Sequence, residues 1–396
     1  IVLLGLQLGE TNGVFTTTTT QLQHKWCIPM EHFCIPFPLQ RKPIFCQLGV
    51  RRLNNVIIGE VLFESGYLVL AHILGADKGP LAVLSAEFPS LEYVRIPGIT
   101  VRYSESGNQL WSMAKQFPAM LRSMQTERAL FEGMRAKLRL DAVISDQRFG
   151  IRSNALPSLL ITHQVFPFTP FAQSVLRKVN LRNIARFDRC WIMDEQRSPG
   201  LAGELSHGAE LPGNSRYIGI LSRMAPIRNS PSESTGAKYR IVAVISGPEP
   251  QRSLLENILL EQMQGIKGEH LVVLGLPDEL DQKQIKNITM IGHMQGSKLA
   301  RAMSDSEMIV SRSGYTTLMD LAALGRSALI VPTPGQEEQE YLGRLHAGTG
   351  RYIVQQQNSI DLTTALGTTA DQPLTPQHSG SDLLDEALGD LAGLLQ

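Results

Sequence analysis

The chain has 396 residues, 43% hydrophobic and 19% charged, and its 37 Lys and Arg match its 37 Asp and Glu for a formal net charge of zero. The length exceeds one ordinary core and suits two domains. The low charge fraction argues against long disordered tails, and the balance of signs argues against a dedicated nucleic-acid binder, which carries a basic excess.

Nowhere does an apolar run approach the roughly 18 residues of a membrane-spanning helix. Four cysteines, Cys27, Cys34, Cys46 and Cys190, include no CxxC pair. They read as neither a disulfide framework nor a zinc site, so a reducing cytoplasm is the expected location. The chain opens at Ile1, and residues 1–5 are apolar but too short for a signal-peptide core and lack a basic segment before them. Residues 1–55 hold a run of five threonines at 16–20 and a stretch at 26–46 dotted with Cys, Pro and His. Neither the helical nor the strand period persists there, so the segment is expected to be irregular.

The pattern changes near Gly59. Residues 60–66 resemble a helix end closed by Gly66, and 67–71 and 93–96 are short strand signals. Residues 108–138 repeat apolar positions at helical spacing. Three short apolar runs follow, 141–145 ending in Asp146, 158–162 ending in His163 and 190–193 ending in Asp194. Strands alternating with helical stretches predict a parallel sheet with crossover helices. Residues 225–238 are rich in Pro, Ser and Asn and read as a linker. The alternation then restarts, with strands expected at 239–245, 270–274, 289–291, 308–310 and 328–331. Helices are expected at 256–263, 299–303, 316–324 and 339–345, giving a second doubly wound α/β domain. Residues 381–395 suit a closing amphipathic helix. The expected division is an irregular 1–55, a first α/β domain 56–224, a linker 225–238, a second α/β domain 239–375 and a terminal helix 376–396.

In open parallel sheets ligands bind at the carboxyl ends of strands, so the residues after each strand carry the chemistry. After the strand at 239–245 come Ser246, Gly247, Pro248, Glu249, Pro250, Gln251 and Arg252, then a helix. Gly247 allows close backbone approach and the helix start offers free N–H groups to an anion, although an ordinary tight turn would look the same. The richest loop is Ser311-Arg312-Ser313-Gly314-Tyr315-Thr316, which opens another helix. Its backbone N–H groups and hydroxyls suit a diphosphate, and Asp320, one to two turns on, is placed to accept hydrogen bonds from a ribose. After the strand at 328–331, Gln336, Gln339 and Glu340 suit sugar hydroxyls, or equally a solvated helix start.

The stretch SRSGYTTLMDLAALGRSALIVPTPGQEEQEYLGRL resembles the donor-site signature of family 28-type glycosyltransferases, a group that includes the bacterial enzyme adding N-acetylglucosamine to a lipid-linked peptidoglycan precursor. The resemblance implies a GT-B fold, two Rossmann-like domains facing across a cleft, with a nucleotide sugar on the second domain and neither metal nor other cofactor. It implies donor contacts at Ser246, Gly247, Arg252, His293, Met294, Ser311, Arg312, Ser313, Gly314, Tyr315, Thr316, Asp320, Gln336, Gln339 and Glu340, with the nucleobase held mainly by the backbone of the loop containing His293 and Met294. Asp320 stands where many relatives carry Glu, and Glu340 where they carry an amide. DAVISDQRFG, LPSLLITHQ, RIPGITVRYSESGN and ARFDRCWIMDEQRSPGLAGELSH are similar to an uncharacterised bacterial subgroup, so the resemblance spans roughly residues 60–355.

That subgroup opens with a Gly-His loop of the form GLGHATRCIP. This chain has Gln23-His24-Lys25-Trp26-Cys27-Ile28-Pro29, which keeps the His and CIP but neither glycine nor the Arg. His24 is the candidate catalytic base, with a degenerate, inactive loop as the alternative. His163 and Asp146 are the other catalytic candidates, and Asp146 and Arg148 are candidate acceptor-side groups; the alternatives are a structural histidine for His163, a helix cap for Asp146 and a surface charge for Arg148.

The expected activity is inverting, metal-independent transfer of a hexosyl group from a UDP-linked sugar to an unknown acceptor, which the resemblance extends to a lipid-linked one at the inner face of the membrane. A nucleotide-sugar epimerase and a non-catalytic donor-binding subunit are the alternatives.

Overall fold

In the computed structural model, residues 140–168, 173–222, 224, 238–276, 281–368 and 382–395 are described throughout, and 369 and 381 by their backbone. The helix at 109–138 is described with side chains from residue 122, and before it residues 2–3, 50–53, 56–59, 72–75, 81 and 93–95 are described. His24, the linker residues 225–237 and the elements expected at 60–66 and 67–71 lie outside these.

The segment expected to be irregular supplies two strands, a correction to the sequence reading. β1 (Val2–Leu3) and β2 (Val50–Leu53) precede β3 (Val56–Gly59), β4 (His72–Gly75) and β5 (Tyr93–Arg95). β4 pairs antiparallel with β1 and parallel with β5, while β2 and β3 form an antiparallel hairpin. Their apolar residues are isolated two or three at a time, so the sequence period is too short to read.

The long helix α1 (Gln109–Leu138) falls where the spacing predicts it. After it come β6 (Val143–Asp146), β7 (Ser158–Thr162), α2 (Gln173–Ile184), β8 (Arg189–Ile192), the short α3 (Glu204–His207) and β9 (Ser215–Tyr217). The four strands lie in the order β6-β7-β8-β9, all parallel. VISD, SLLIT and the last three residues of RCWI are buried without alternation, as a sheet covered on both faces requires.

The second sheet comprises β10 (Tyr239–Val244), β11 (His270–Val273), β12 (Gln282–Ile285), β13 (Ile288–Ile291), β14 (Ser306–Ser311), β15 (Leu329–Ile330) and β16 (Ile353–Val354). Its helices are α4 (Gln251–Met263), α5 (Gly296–Ser304), α6 (Tyr315–Leu324), α7 (Glu337–Thr349), α8 (Leu362–Thr369) and α9 (Ser381–Leu394). The strand order is β12-β13-β11-β10-β14-β15-β16, parallel except for the β12–β13 pair. From β10 the chain winds one way through β11 and β13 and then returns to the other side at β14. The topological switch point therefore lies between β10 and β14, where such sheets bind ligands.

Side-chain alternation distributes the core. Ile241 and Ala243 of β10 face one apolar cluster with Leu255 and Leu259 of α4, while Val242 faces the other way, toward Leu318 of α6. That second cluster also takes in Ile144, Leu159, Ile161 and Trp191 of the first sheet, so the two α/β units share one hydrophobic core. Helix α9 joins it through Ala387 and Leu391. Asp390 grips Arg189 at the start of β8 with two hydrogen bonds, and Arg216 Nη1 donates to the Glu386 carbonyl at 3.1 Å. Helix α9 thus packs against the first sheet.

Candidate functional site

Two loops meet at the switch point. β10 runs into the exposed Ser246 and Gly247, and Gly247 has φ 112°, a conformation that L side chains rarely adopt. Pro250 then precedes α4, where Glu249 Oε2 accepts the first-turn Ser253 N–H at 3.2 Å. β14 runs into Ser311, Arg312, Ser313 and Gly314, and Gly314 is the N-cap of α6, with no side-chain cap. The first-turn N–H groups of α6 at Thr316 and Thr317 have no intrahelical acceptor and carry the positive end of the helix dipole. Gly314 has an ordinary extended φ of −68°, and a Cβ added there would meet nothing within 4 Å. Its glycine is therefore required neither by its backbone nor by its protein neighbours.

The two arginines of these loops differ. Arg252 is bonded by Glu249 at 2.6 Å and Glu256 at 2.8 Å. Burial opposes its charge, but these bonds outweigh it and hold the guanidinium above its ordinary pKa. Arg312, read from the sequence as a donor contact, is a fully buried side chain beneath the loop. Its Nη2 donates to the Gln251 carbonyl at 2.7 Å and its Nη1 to the Val331 and Pro332 carbonyls at 3.4 Å. Burial alone pushes it down to about 10, so it remains a cation at neutral pH.

The turn after β15 is tied to α7. Gln339 Oε1 accepts the Thr333 N–H at 3.0 Å, Gln339 Nε2 donates to Gln336 Oε1, and Glu340 Oε1 accepts the Gly335 N–H at 2.9 Å. The Ser313 hydroxyl donates to the Gln339 carbonyl at 2.8 Å, joining this turn to the α6 loop. Asp320, 8% exposed, accepts the Ser222 hydroxyl at 2.6 Å from the stretch after β9. His293 and Met294 lie half-buried in the loop after β13, with Met294 packed on the shared core.

The first sheet faces these loops through the carboxyl ends of β6, β7 and β8. The buried His163 stacks on Tyr315 with ring centroids 4.2 Å apart and planes 11° apart. The Gln147 amide donates to its Nδ1 at 2.7 Å, which places the ring proton on Nε2, 2.9 Å from Glu338 Oε1. Gln164 donates to the other Glu338 oxygen, and the Tyr315 hydroxyl donates to the Met193 carbonyl. Both ring nitrogens of His163 are thus engaged, and the residue bridges the two halves. Asp146, 2% exposed, ends β6 just before Gln147, which has a left-handed φ of 55°. Arg148, adjacent, is half-buried and paired with Glu127 of α1, so the alternative of a plain surface charge is corrected.

A second bridge comes from the loop after β8. Asp194, with zero exposure, accepts the N–H groups of Glu195 and Leu201 at 2.8 Å and of Ala202 at 3.1 Å, and the Ser206 hydroxyl at 2.6 Å. The loop so fixed presents the Glu204 N–H to the Tyr341 hydroxyl at 2.7 Å and the Leu201 carbonyl to His346 Nε2 at 3.0 Å. The sequence shows Asp194 only as a strand end and singles out none of Glu338, Gln147 and Tyr341. A carboxylate directly after a buried strand and before a Gly-rich loop was the available signal for Asp194. Glu338 had none, being one acid in a polar run.

A doubly wound unit that carries a ligand-type loop pair, with a second parallel α/β sheet apposed to it, makes a GT-B architecture. The fold is similar to that of the glycotransferase of kitacinnamycin (TM-score 0.50, 13% identity, 82% of this chain and 88% of that one). It is equally similar to that of the glycosyltransferase SnogD from Streptomyces nogalater (TM-score 0.50, 14% identity, 81% and 91%). Within that class, residues 257–382 match the glycosyltransferase family 28 C-terminal domain. A 119-residue segment, 28% of this chain, is 30% identical to the UDP-N-acetylglucosamine--N-acetylmuramyl-(pentapeptide) pyrophosphoryl-undecaprenol N-acetylglucosamine transferase of Methylorubrum extorquens. It spans 32% of that relative's length.

Proposed function

We propose that this chain is a glycosyltransferase that moves a hexosyl group from a UDP-linked sugar to an acceptor hydroxyl with inversion and without a metal ion. The observation that carries the reading is the uncapped start of α6 at the switch point, with an unobstructed Gly314 beside it. The diphosphate fits there, where N–H groups and the helix dipole stabilise the charge that grows on it as it leaves. Asp320 suits the ribose, Gln336, Gln339 and Glu340 the sugar, and the loop of His293 and Met294 the base. The uridine nucleotide and a lipid-linked acceptor are supported by what the Methylorubrum relative is named for.

In the reaction a base takes the acceptor's hydroxyl proton. The oxygen then attacks the anomeric carbon from the face opposite the diphosphate, whose bond to that carbon breaks. By resemblance the base is His24, which lies outside the described residues. His163, with both nitrogens hydrogen-bonded, serves instead to hold the halves together. No helix among the described residues is long and apolar enough to cross a membrane.

The test is calorimetric titration of the full chain with UDP, followed by mass spectrometry of UDP-sugars incubated with lipid-diphosphate and soluble acceptors. Binding with transfer of the hexosyl unit is the expected result. Interconversion of the sugar without an acceptor would mark an epimerase, and binding without turnover a non-catalytic subunit.

A further inference from the structure

The two arginines beneath the switch point are neutralised differently. Arg252 has two carboxylate partners, whereas Arg312 has only carbonyl partners and its Nε, buried, has none. Burying a guanidinium without a counter-charge is costly, and proteins ordinarily pair such a group. Nothing anionic among the described residues bonds Arg312, and burial is the sole influence on its acidity. Its partners are also specific. They are the carbonyl of α4's first residue and the two carbonyls that follow β15, while Arg312 itself lies two residues before the N-cap of α6. One side chain therefore ties together the three loops that frame the switch point and leaves a net positive charge under them.

We propose that Arg312 is the built-in counter-charge for the donor's diphosphate, a positioning residue that acts from beneath the loop through its field and its three carbonyl bonds, without touching the ligand. The inference rests on the donor-site reading above and assigns a role that direct contact cannot fill, since the side chain has no exposed surface. In a low-dielectric site the attraction between a fixed cation and a diphosphate survives several ångströms of separation, and salt screens it weakly. The free protein bears the uncompensated charge, and the ligand relieves it.

The test compares UDP with uridine, which lacks the diphosphate, by calorimetry on the full-length chain and two variants. Arg312→Lys keeps the charge and loses the planar fork; Arg312→Gln keeps amide donors for the carbonyls and loses the charge. The wild type should prefer UDP to uridine. Arg312→Lys should keep most of that preference, and Arg312→Gln should lose about tenfold of it, with uridine affinity little changed in either. The proposal is overturned if Lys and Gln lose UDP and uridine binding in parallel, or if Arg312→Gln keeps the full preference. It is equally overturned if Arg312→Lys does not fold, because the residue is then a brace whose charge is incidental. Should only Arg312→Gln fail to fold, Arg312→Lys decides alone, retention supporting the proposal and loss refuting it. A wild-type chain that binds uridine and UDP equally, or neither, refutes the donor-site reading itself, and that outcome is visible before any variant is made.

Discussion

Replacing Asp194 by Ala should loosen both the loop after β8 and the junction between the halves. Three backbone N–H groups and the Ser206 hydroxyl end on this carboxylate at 2.6–3.1 Å in a position of zero exposure. A buried donor left without an acceptor costs about 1–3 kcal/mol. The serine can turn toward the Gly203 carbonyl, already 3.3 Å away, and water can enter the space left, so the sum shrinks to about 3–5 kcal/mol. Asp194→Asn, which keeps the volume and part of the acceptor capacity, should lose about half as much. Gly200→Ala should mimic the alanine variant, because its Cβ would lie 2.5 Å from the Asp194 carboxylate on a backbone of φ 61°. Thermal unfolding reads the loss, and hydrogen exchange locates it, with faster exchange at Glu195, Leu201 and Ala202 and then in α7, whose Tyr341 and His346 bond this loop. Unchanged melting with unchanged exchange across residues 195–206 would show that the carboxylate does not organise the loop.

Gly314→Val should leave the melting temperature near that of the wild type, since nothing lies within 4 Å of the new Cβ, yet weaken UDP binding by about tenfold or more through collision with the diphosphate. Equal affinity would place the ligand elsewhere. Asp320→Ala should weaken UDP binding by about 1.5–3 kcal/mol, the worth of a charge-assisted hydrogen bond, with Ser222→Ala as the control for the contact it also breaks. Burial holds the His346 imidazole down to about 4, against 6.5 in the unfolded chain. The unfolded chain therefore binds a proton that the folded one does not, so this contribution is full above pH 6.5. It is lost as the pH falls toward 4, by up to about 3 kcal/mol. Melting followed across that window should be steeper for the wild type than for His346→Gln, which keeps an N–H for the Leu201 carbonyl; parallel curves would contradict the assignment.

Local pattern was enough wherever burial was continuous along the chain. The run 158–162 is β7 as read, and the runs at 141–145 and 190–193 shift by one or two residues to become β6 and β8. The helix after Gly314 and the strand that ends at Ser311 also follow from apolar period and loop chemistry, so the loop proposed for the diphosphate is legible in the sequence. β12 was not, because QKQI is exposed at all four positions and is a strand only through its pairing with β13. What each polar side chain does was decided by tertiary structure. His163 and Glu338 are separated by 175 residues and the Ser222–Asp320 pair by 98. Arg252 and Arg312 look alike in sequence, yet one meets two carboxylates and the other only carbonyls. Periodicity reports whether a residue is inside, a property of its neighbours in the chain. Which charge is cancelled and which is left for a ligand depends on groups brought close by the packing of two sheets, and no local window contains them.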